Sequence, residues 1–383
     1  MSGRRRLFAA FTGDEILRES GRLPFMLIRP FVAAGYEVCI YDNLRDRLTA
    51  FYRCDEAALP ETARLSLSIG GAAFTRELPE DCADTIYLFD RPLASALQRS
   101  WRKRVHVRFD LFAPYHWRPP VVAPYSMHPS QTLRATPENL AMLRAWPRAL
   151  RVLFAGDSKA YVRDRVRYPG PKLPRLEVLN TLRQRLPEET LAVNGEVDIA
   201  RLCESGFTRK FVLSDSGSGI APSAWLPTLA QADFFLCPPG MVMPMCHNVV
   251  EAMSVGTIPL ISYPEWLTPQ LRHLHNCIAF DSRDDLVGKM RLALSMPAAD
   301  VARMRANVID HYESHLRPEV VVQALESRLE PEVTLLLHTE LNMAQNSARL
   351  NGRSVLIKGP DADSPLRRVG RTLDRYVGRS SGS

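Results

Sequence analysis

Long apolar runs are missing from this chain. None approaches the roughly 18 residues that a membrane-spanning helix needs, and the basic start Met1-Ser2-Gly3-Arg4-Arg5-Arg6 leads only into the short apolar stretch Leu7 to Thr12. The sequence therefore predicts neither a transmembrane segment nor a secretory signal, and a cytoplasmic protein. Cysteine is sparse: there are seven, an odd number, scattered and mostly set in apolar segments such as those around Cys39, Cys237 and Cys277. With no CxxC pair and no Cys/His ligand spacing, they read as reduced thiols, which argues against a disulfide framework or a structural zinc site. No GxGxxG fingerprint and no Walker A pattern occurs, so hydride transfer and ATP hydrolysis lack support. No DxD-type metal motif stands in a strand–loop context, and no sequence repeat is present.

What is there is an ordinary globular composition, 46% hydrophobic and 24% charged over 383 residues. At roughly 150 residues per domain this favours two domains. The net charge of +7 is uneven. Arg4, Arg5 and Arg6 at one end, and Leu366 to Arg379 at the other, carry an excess equal to the whole of it. A near-neutral middle weighs against a nucleic-acid partner, which calls for a broad basic face.

Two α/β halves follow one another. The first opens with a strand over Arg6 to Phe11, a turn at Thr12-Gly13-Asp14, a helix over Leu23 to Gly35 and a strand over Tyr36 to Asp42. Further strands are predicted at Thr85–Phe89 and Val105–Phe112, with an extended segment at Val121–Tyr125. The second restarts at Leu150–Ala155, followed by the loop Gly156-Asp157-Ser158-Lys159, a helix from Arg175 to Arg185 and strands near Leu191–Val193 and Lys210–Leu213. The predicted domains are 1–140, 148–330 and a C-terminal extension, 331–383. In that extension Val333–His338 and Ser354–Lys358 each read as a strand. Leu366, Val369, Leu373, Tyr376 and Val377 fall on one helical face among arginines, the pattern of an interfacial helix on an anionic membrane or of a solvated basic tail.

The densest signal runs from Phe234 to Tyr263. A short apolar strand, Asp233–Cys237, stops at Pro238-Pro239-Gly240; a helix from Asn248 to Val255 carries Glu251 as its only charge; Gly256 stops it; and Thr257–Ile261 starts another strand. The reading that treats Glu251 as a solvated rim residue of any α/β protein competes with a functional one. This stretch resembles the donor-binding half of GT-B glycosyltransferases, in particular exostosin-like enzymes, through Cys237-Pro238-Pro239-Gly240, His247, Glu251-Ala252 and Gly256-Thr257-Ile258-Pro259. The resemblance implies two Rossmann-like α/β domains facing across a cleft. It also implies a nucleotide-sugar substrate with no cofactor, metal-independent chemistry, and a ribose-binding role for Glu251, since a carboxylate accepts two hydrogen bonds from a vicinal diol. At His247 the family usually carries arginine. A neutral imidazole has no permanent charge, so phosphate neutralisation must come from elsewhere.

Sugar transfer needs a site for the diphosphate, a means to offset its charge and, if configuration inverts, a base. Ser158, Lys159 and Arg163, beyond the first strand of the second half, are the expected diphosphate residues, with Pro239, Gly240, His247, Asn248 and Glu251 on the opposite loop and helix. An ordinary solvated helix face is the plain alternative for Lys159 and Arg163. Asp14, Asp110 and His116 are the candidates for the base, with Asp42 and His128 in comparable positions; helix capping is the plain alternative for Asp14. The loop Ser214–Gly219 contacts the nucleotide base or merely connects. The sequence thus predicts transfer from a nucleotide sugar to a bacterial surface glycan or glycolipid, by a protein in the cytoplasm or peripheral on the inner face of the membrane. A GT-B sugar-nucleotide epimerase and a non-catalytic nucleotide-sugar-binding or polysaccharide-assembly protein are the alternatives.

Overall fold

Strands buried on both faces lose the polar/apolar alternation of a half-exposed strand and read as continuous apolar runs. Such runs build both sheets of the structure, a computed structural model that describes residues 5–109, 120–158, 173–215, 219–240 and 243–340. The chain divides into a first unit of Met1–Pro124 with Pro318–Ser383 and a second of Tyr125–Arg317. Each is an α/β unit on a parallel sheet, the fold class the sequence predicts.

In the first unit β1 (Arg6–Ala10), β2 (Glu37–Tyr41), β3 (Ala72–Thr75), β4 (Thr85–Phe89), β5 (Lys103–Arg108) and β6 (Val121–Val122) come in chain order. The second unit contains β7 (Leu150–Ala155), β8 (Thr190–Ala192), β9 (Thr208–Ser214), β10 (Ala232–Cys237), β11 (Ile258–Ile261) and β12 (Ile278–Ala279). The chain then returns with β13 (Glu332–Leu336), which enters the first sheet between β5 and β6. The orders are β3-β2-β1-β4-β5-β13-β6 and β12-β11-β10-β7-β9-β8, all pairs parallel.

The unit limits therefore differ from boundaries drawn at 140, 148 and 330, for physical reasons. The helix Pro318–Glu326 is tied to the first unit, because Lys103 Nζ donates to the carbonyls of Leu325 and Arg328 at 2.6 Å each. Arg102 also pairs with Glu326 at 2.7 Å. The segment after Pro124 belongs to the second unit, where Arg144 Nε donates to the Ser254 carbonyl at 2.8 Å. Sequence reading missed β3 and its companion helices Leu44–Tyr52 and Glu61–Leu67. Ser354–Lys358 and Leu366–Arg379 lie outside the described residues. Among the described residues no helix is long and apolar enough to cross a membrane.

The first sheet has two unlike faces. Leu7, Ala9, Val38, Ile40, Ile86 and Leu88 join the larger core. Phe8, Ala10, Tyr87 and Phe89 point the other way, under Leu93 and Trp101. Aromatic rings continue along that face: Tyr87 lies 4.7 Å from Trp101 and 4.6 Å from Phe89, and Phe89 lies 5.1 Å from His106.

Candidate functional site

In open parallel sheets ligands sit beyond the carboxyl ends of the strands, where connections leave in opposite directions. In the second unit that point lies between β7, whose chain continues toward β8 and β9, and β10, whose chain continues toward β11 and β12. The loops after β7 and β10 carry Ser158, Pro239 and Gly240, and the helix that follows the second loop carries His247, Asn248 and Glu251, the other predicted donor residues that are described.

After β10, Pro238, Pro239 and Gly240 are buried, and Gly240 N–H donates to the Pro244 carbonyl at 3.0 Å. A Cβ on Gly240 would lie 2.7 Å from the Met243 carbonyl oxygen and 2.9 Å from that of Met245, so this turn admits only glycine without moving backbone. Cys246 is the N-cap of the helix His247–Ser254, and His247 and Asn248 occupy its first turn half-buried. Backbone N–H groups at that end favour an anion. Gly256, at φ +77°, stops the helix, and Thr257 N–H returns to the Ala252 carbonyl at 2.9 Å.

Glu251 is not a rim residue: it is 0% exposed. Its Oε1 accepts the His128 backbone N–H at 2.9 Å and its Oε2 accepts the Trp225 indole N–H at 2.6 Å. The carboxylate thereby gathers three segments of the second unit. The His128 ring, which N-caps the helix Pro129–Arg134, lies 5.7 Å from the His247 ring. A ribose role for Glu251 requires the indole or the His128 amide to share or yield an oxygen. Trp225 and His128 were not assigned to this carboxylate from sequence, since their approach is purely tertiary.

After β7, Ser158 is buried and its hydroxyl donates to Asp215 Oδ2 at 3.0 Å, across from the end of β9; Arg183 pairs with the same carboxylate. Lys159 and Arg163 lie outside the described residues, as do Asp110 and His116.

The arginine that links the two loops is Arg175, which sequence reading passed over. It is 5% exposed and opens the helix Arg175–Arg185. One guanidinium nitrogen donates to the Asp157 carbonyl at 3.2 Å, and another lies 3.8 Å from Cys246 Sγ. A cation in the first turn of a helix opposes the helix dipole, and that mismatch was the available signal. Burial pushes the Cys237 thiol and the Tyr263 phenol well up, and the Arg175 charge partly offsets both rises.

In the first unit the corresponding point lies between β1 and β4. Asp90 holds it closed: its carboxylate accepts the N–H groups of Thr12 at 2.8 Å, Gly13 at 2.9 Å and Arg91 at 2.7 Å. A Cβ on Gly13 would meet Asp90 Oδ2 at 2.7 Å. Asp14 lies inside a short 3₁₀ turn, Asp14–Leu17, whose N-cap is Gly13, so the capping alternative does not describe it. Its side chain is 79% exposed and pairs with Arg47 at 2.8 Å.

No family model matches the chain, and no curated protein matches it. Among solved structures it is similar to HepE of Anabaena in complex with UDP, at 13% identity over 84% of this chain and 98% of that one, with a TM-score of 0.41. It is also similar to a glycosyltransferase from Rickettsia africae, at 8% identity over 84% and 97% with a TM-score of 0.35. A third is WaaG, a glycosyltransferase involved in lipopolysaccharide biosynthesis, at 12% over 84% and 98% with a TM-score of 0.34.

Proposed function

We propose that the protein is a metal-independent glycosyltransferase of the GT-B class that moves a sugar from a nucleotide-sugar donor to a bacterial surface glycan or glycolipid, with no further cofactor. The observation that carries this reading is the position of Arg175. Where the exostosin-like pattern has an arginine this chain carries His247, and the second unit supplies a guanidinium from another helix, between the β7 and β10 loops. A guanidinium suits phosphate oxygens because its planar fork donates in pairs. The N-terminus of the helix His247–Ser254 adds partial positive charge beside it.

In this reading the diphosphate lies against Arg175, Gly240 and His247, with Pro239 and Asn248 alongside, and Lys159 and Arg163 assist from their loop. Ser158 orients that loop through Asp215, and Glu251 serves the ribose while holding His128 and Trp225. The first unit takes the acceptor, and Asp14, exposed at its β1 edge, holds acceptor hydroxyls, with Asp110 and His116 following β5. Leu366–Arg379 attaches the protein to the inner face of an anionic membrane.

A thermal-shift panel of UDP, GDP, CMP and TDP sugars is expected to give one strong stabiliser. Arg175→Gln should weaken that donor about ten- to a hundredfold, the range for losing hydrogen bonds to a charged group, roughly 1.5–3 kcal/mol. Acceptor-dependent release of nucleoside diphosphate supports transfer. Isomerised donor without release supports an epimerase, and binding with neither product leaves a non-catalytic protein.

A further inference from the structure

We infer that the second unit carries a separate carbohydrate-binding groove between the helices Arg175–Arg185 and Arg283–Ser295, built from none of the donor residues. The groove is a cavity of about 440 Å³ lined by Glu177, Asn180, Thr181, Gln184, Arg185 and Arg283. That volume suits a small organic ligand. Residues three and four apart share one face of a helix, and Glu177, Asn180, Thr181, Gln184 and Arg185 follow that spacing, so a single stripe of the first helix forms most of the wall. None of the six is an aliphatic or aromatic residue, and the groove therefore offers hydrogen bonds rather than an apolar floor.

Its charges are already matched. Arg283 Nε donates to Glu177 Oε1 at 2.6 Å, and one Arg185 guanidinium nitrogen donates to Asp284 Oδ1 at 2.9 Å. An anion would compete with those carboxylates and a cation with those guanidiniums, which leaves a neutral ligand. The side chains of Asn180, Thr181 and Gln184 have no hydrogen-bond partner among the described residues. Thr181 is the most informative of them because it is only 7% exposed. A helical hydroxyl can donate to the carbonyl four residues back, as Thr49 and Ser295 do at 3.2 and 2.9 Å. Thr181 makes no such bond, and the space it borders is the cavity. A buried polar group left open at a cavity wall calls for a partner inside it. Two amides, a hydroxyl and the second oxygen of Glu177 supply donors and acceptors together. A neutral ligand that uses both many times over is polyhydroxylated, since each sugar hydroxyl donates and accepts. At 1.5 Å per residue the wall from Glu177 to Arg185 runs about 12 Å, longer than one sugar ring, so the ligand is a short oligosaccharide. The inference does not need the transferase reading, because binding alone reveals the site.

The test follows hydrogen exchange of the full chain with di- to tetrasaccharides of glucose, galactose, mannose and N-acetylglucosamine, with glycerol at matched hydroxyl concentration and with pyrophosphate. At least one oligosaccharide is expected to slow exchange in both Arg175–Arg185 and Arg283–Ser295, and glycerol is not. Asn180→Ala combined with Gln184→Ala leaves both ion pairs in place and should weaken that oligosaccharide about five- to a hundredfold, with the urea midpoint and the donor's thermal shift unchanged. Thr181→Val keeps the side-chain shape and should weaken it severalfold. The inference is overturned if no saccharide protects the two helices, if glycerol protects them equally, or if pyrophosphate protects them more, which would make the groove an anion site. It also fails if the double variant binds as tightly as the wild type, or loses donor and oligosaccharide together. A protein that no nucleotide sugar stabilises but that still binds oligosaccharide here would confirm this site while the transferase reading falls.

Discussion

The two sheets share a parallel topology and treat their crevice points in opposite ways. Between β1 and β4 the loops are tied by a carboxylate, Asp90, which accepts three main-chain N–H groups. Between β7 and β10 they are linked by a guanidinium, Arg175, and the nearby carboxylate, Glu251, is turned inward to Trp225 and His128. A carboxylate at the edge repels an anionic ligand and consumes backbone donors that would otherwise serve it; a guanidinium attracts one. The same scaffold thus gives one edge tied by a carboxylate and one linked by a guanidinium.

Removing the two carboxylates should break this comparison most strongly. Glu251→Ala leaves the Trp225 indole N–H and the His128 N–H without their acceptor; both bonds are part-buried, and the carboxylate they share is 0% exposed. At roughly 1–3 kcal/mol per stranded donor, the second unit should lose about 2–6 kcal/mol. Asp90→Ala should cost the first unit less, about 1–3 kcal/mol, because Asp90 is 7% exposed where Glu251 is 0%, so water can more readily take its place at the part-buried Thr12 and Arg91 bonds. Urea unfolding with hydrogen exchange read separately on each unit's peptides checks both values. Equal losses would show that burial does not distinguish the two anchors.

A second contrast lies in pH. Among the described residues each unit holds one buried histidine: His311 in the second is pushed down to about 4, first by burial and then by His315, and His338 in the first is pushed down to about 3 by burial. Asn276 Nδ2 donates to His311 Nδ1 at 3.2 Å, which also requires that nitrogen to be unprotonated. Between the folded value and about 6.5 the unfolded chain binds the extra proton, so stability rises with pH across that window. The contribution is complete above about 6.5 and is lost as pH falls. For His311 the loss should level off near pH 4 after about 3 kcal/mol, while that of His338 continues to near pH 3. Urea midpoints at pH 7, 5 and 4 should show His311→Gln flattening the second unit's slope while leaving that of the first.

How legible each edge was in the sequence follows the same division between local and tertiary information. The strand, loop, helix and strand around Gly240 and Gly256 were readable because turn chemistry and apolar runs are local. The helix Arg175–Arg185 was readable too, yet not the function of its first residue, which depends on two loops 18 and 71 positions away. The inward turn of Glu251 was hidden for a like reason, since its partners come from residues 123 and 26 positions distant. The strand at Glu332–Leu336 was visible as an apolar run, but its insertion beside β5 was not, because pairing partners are not written in a strand's own composition. β3 was missed because Ala72–Thr75 is short and only half-buried, so its pattern is weak.

The smallest effect should come from Asp14, and it sharpens the first unit's edge. An ion pair to Arg47 from a side chain that is 79% exposed is screened by solvent, so Asp14→Ala should change stability by less than about 1 kcal/mol. If Asp14 holds acceptor hydroxyls without taking their proton, Asp14→Ala should raise the acceptor KM severalfold and leave the maximal rate within a small factor. Steady-state kinetics with saturating donor measures both. A fall in maximal rate of about 10²-fold or more at unchanged KM would instead make the carboxylate the base, with Arg47 acting as its orienting partner.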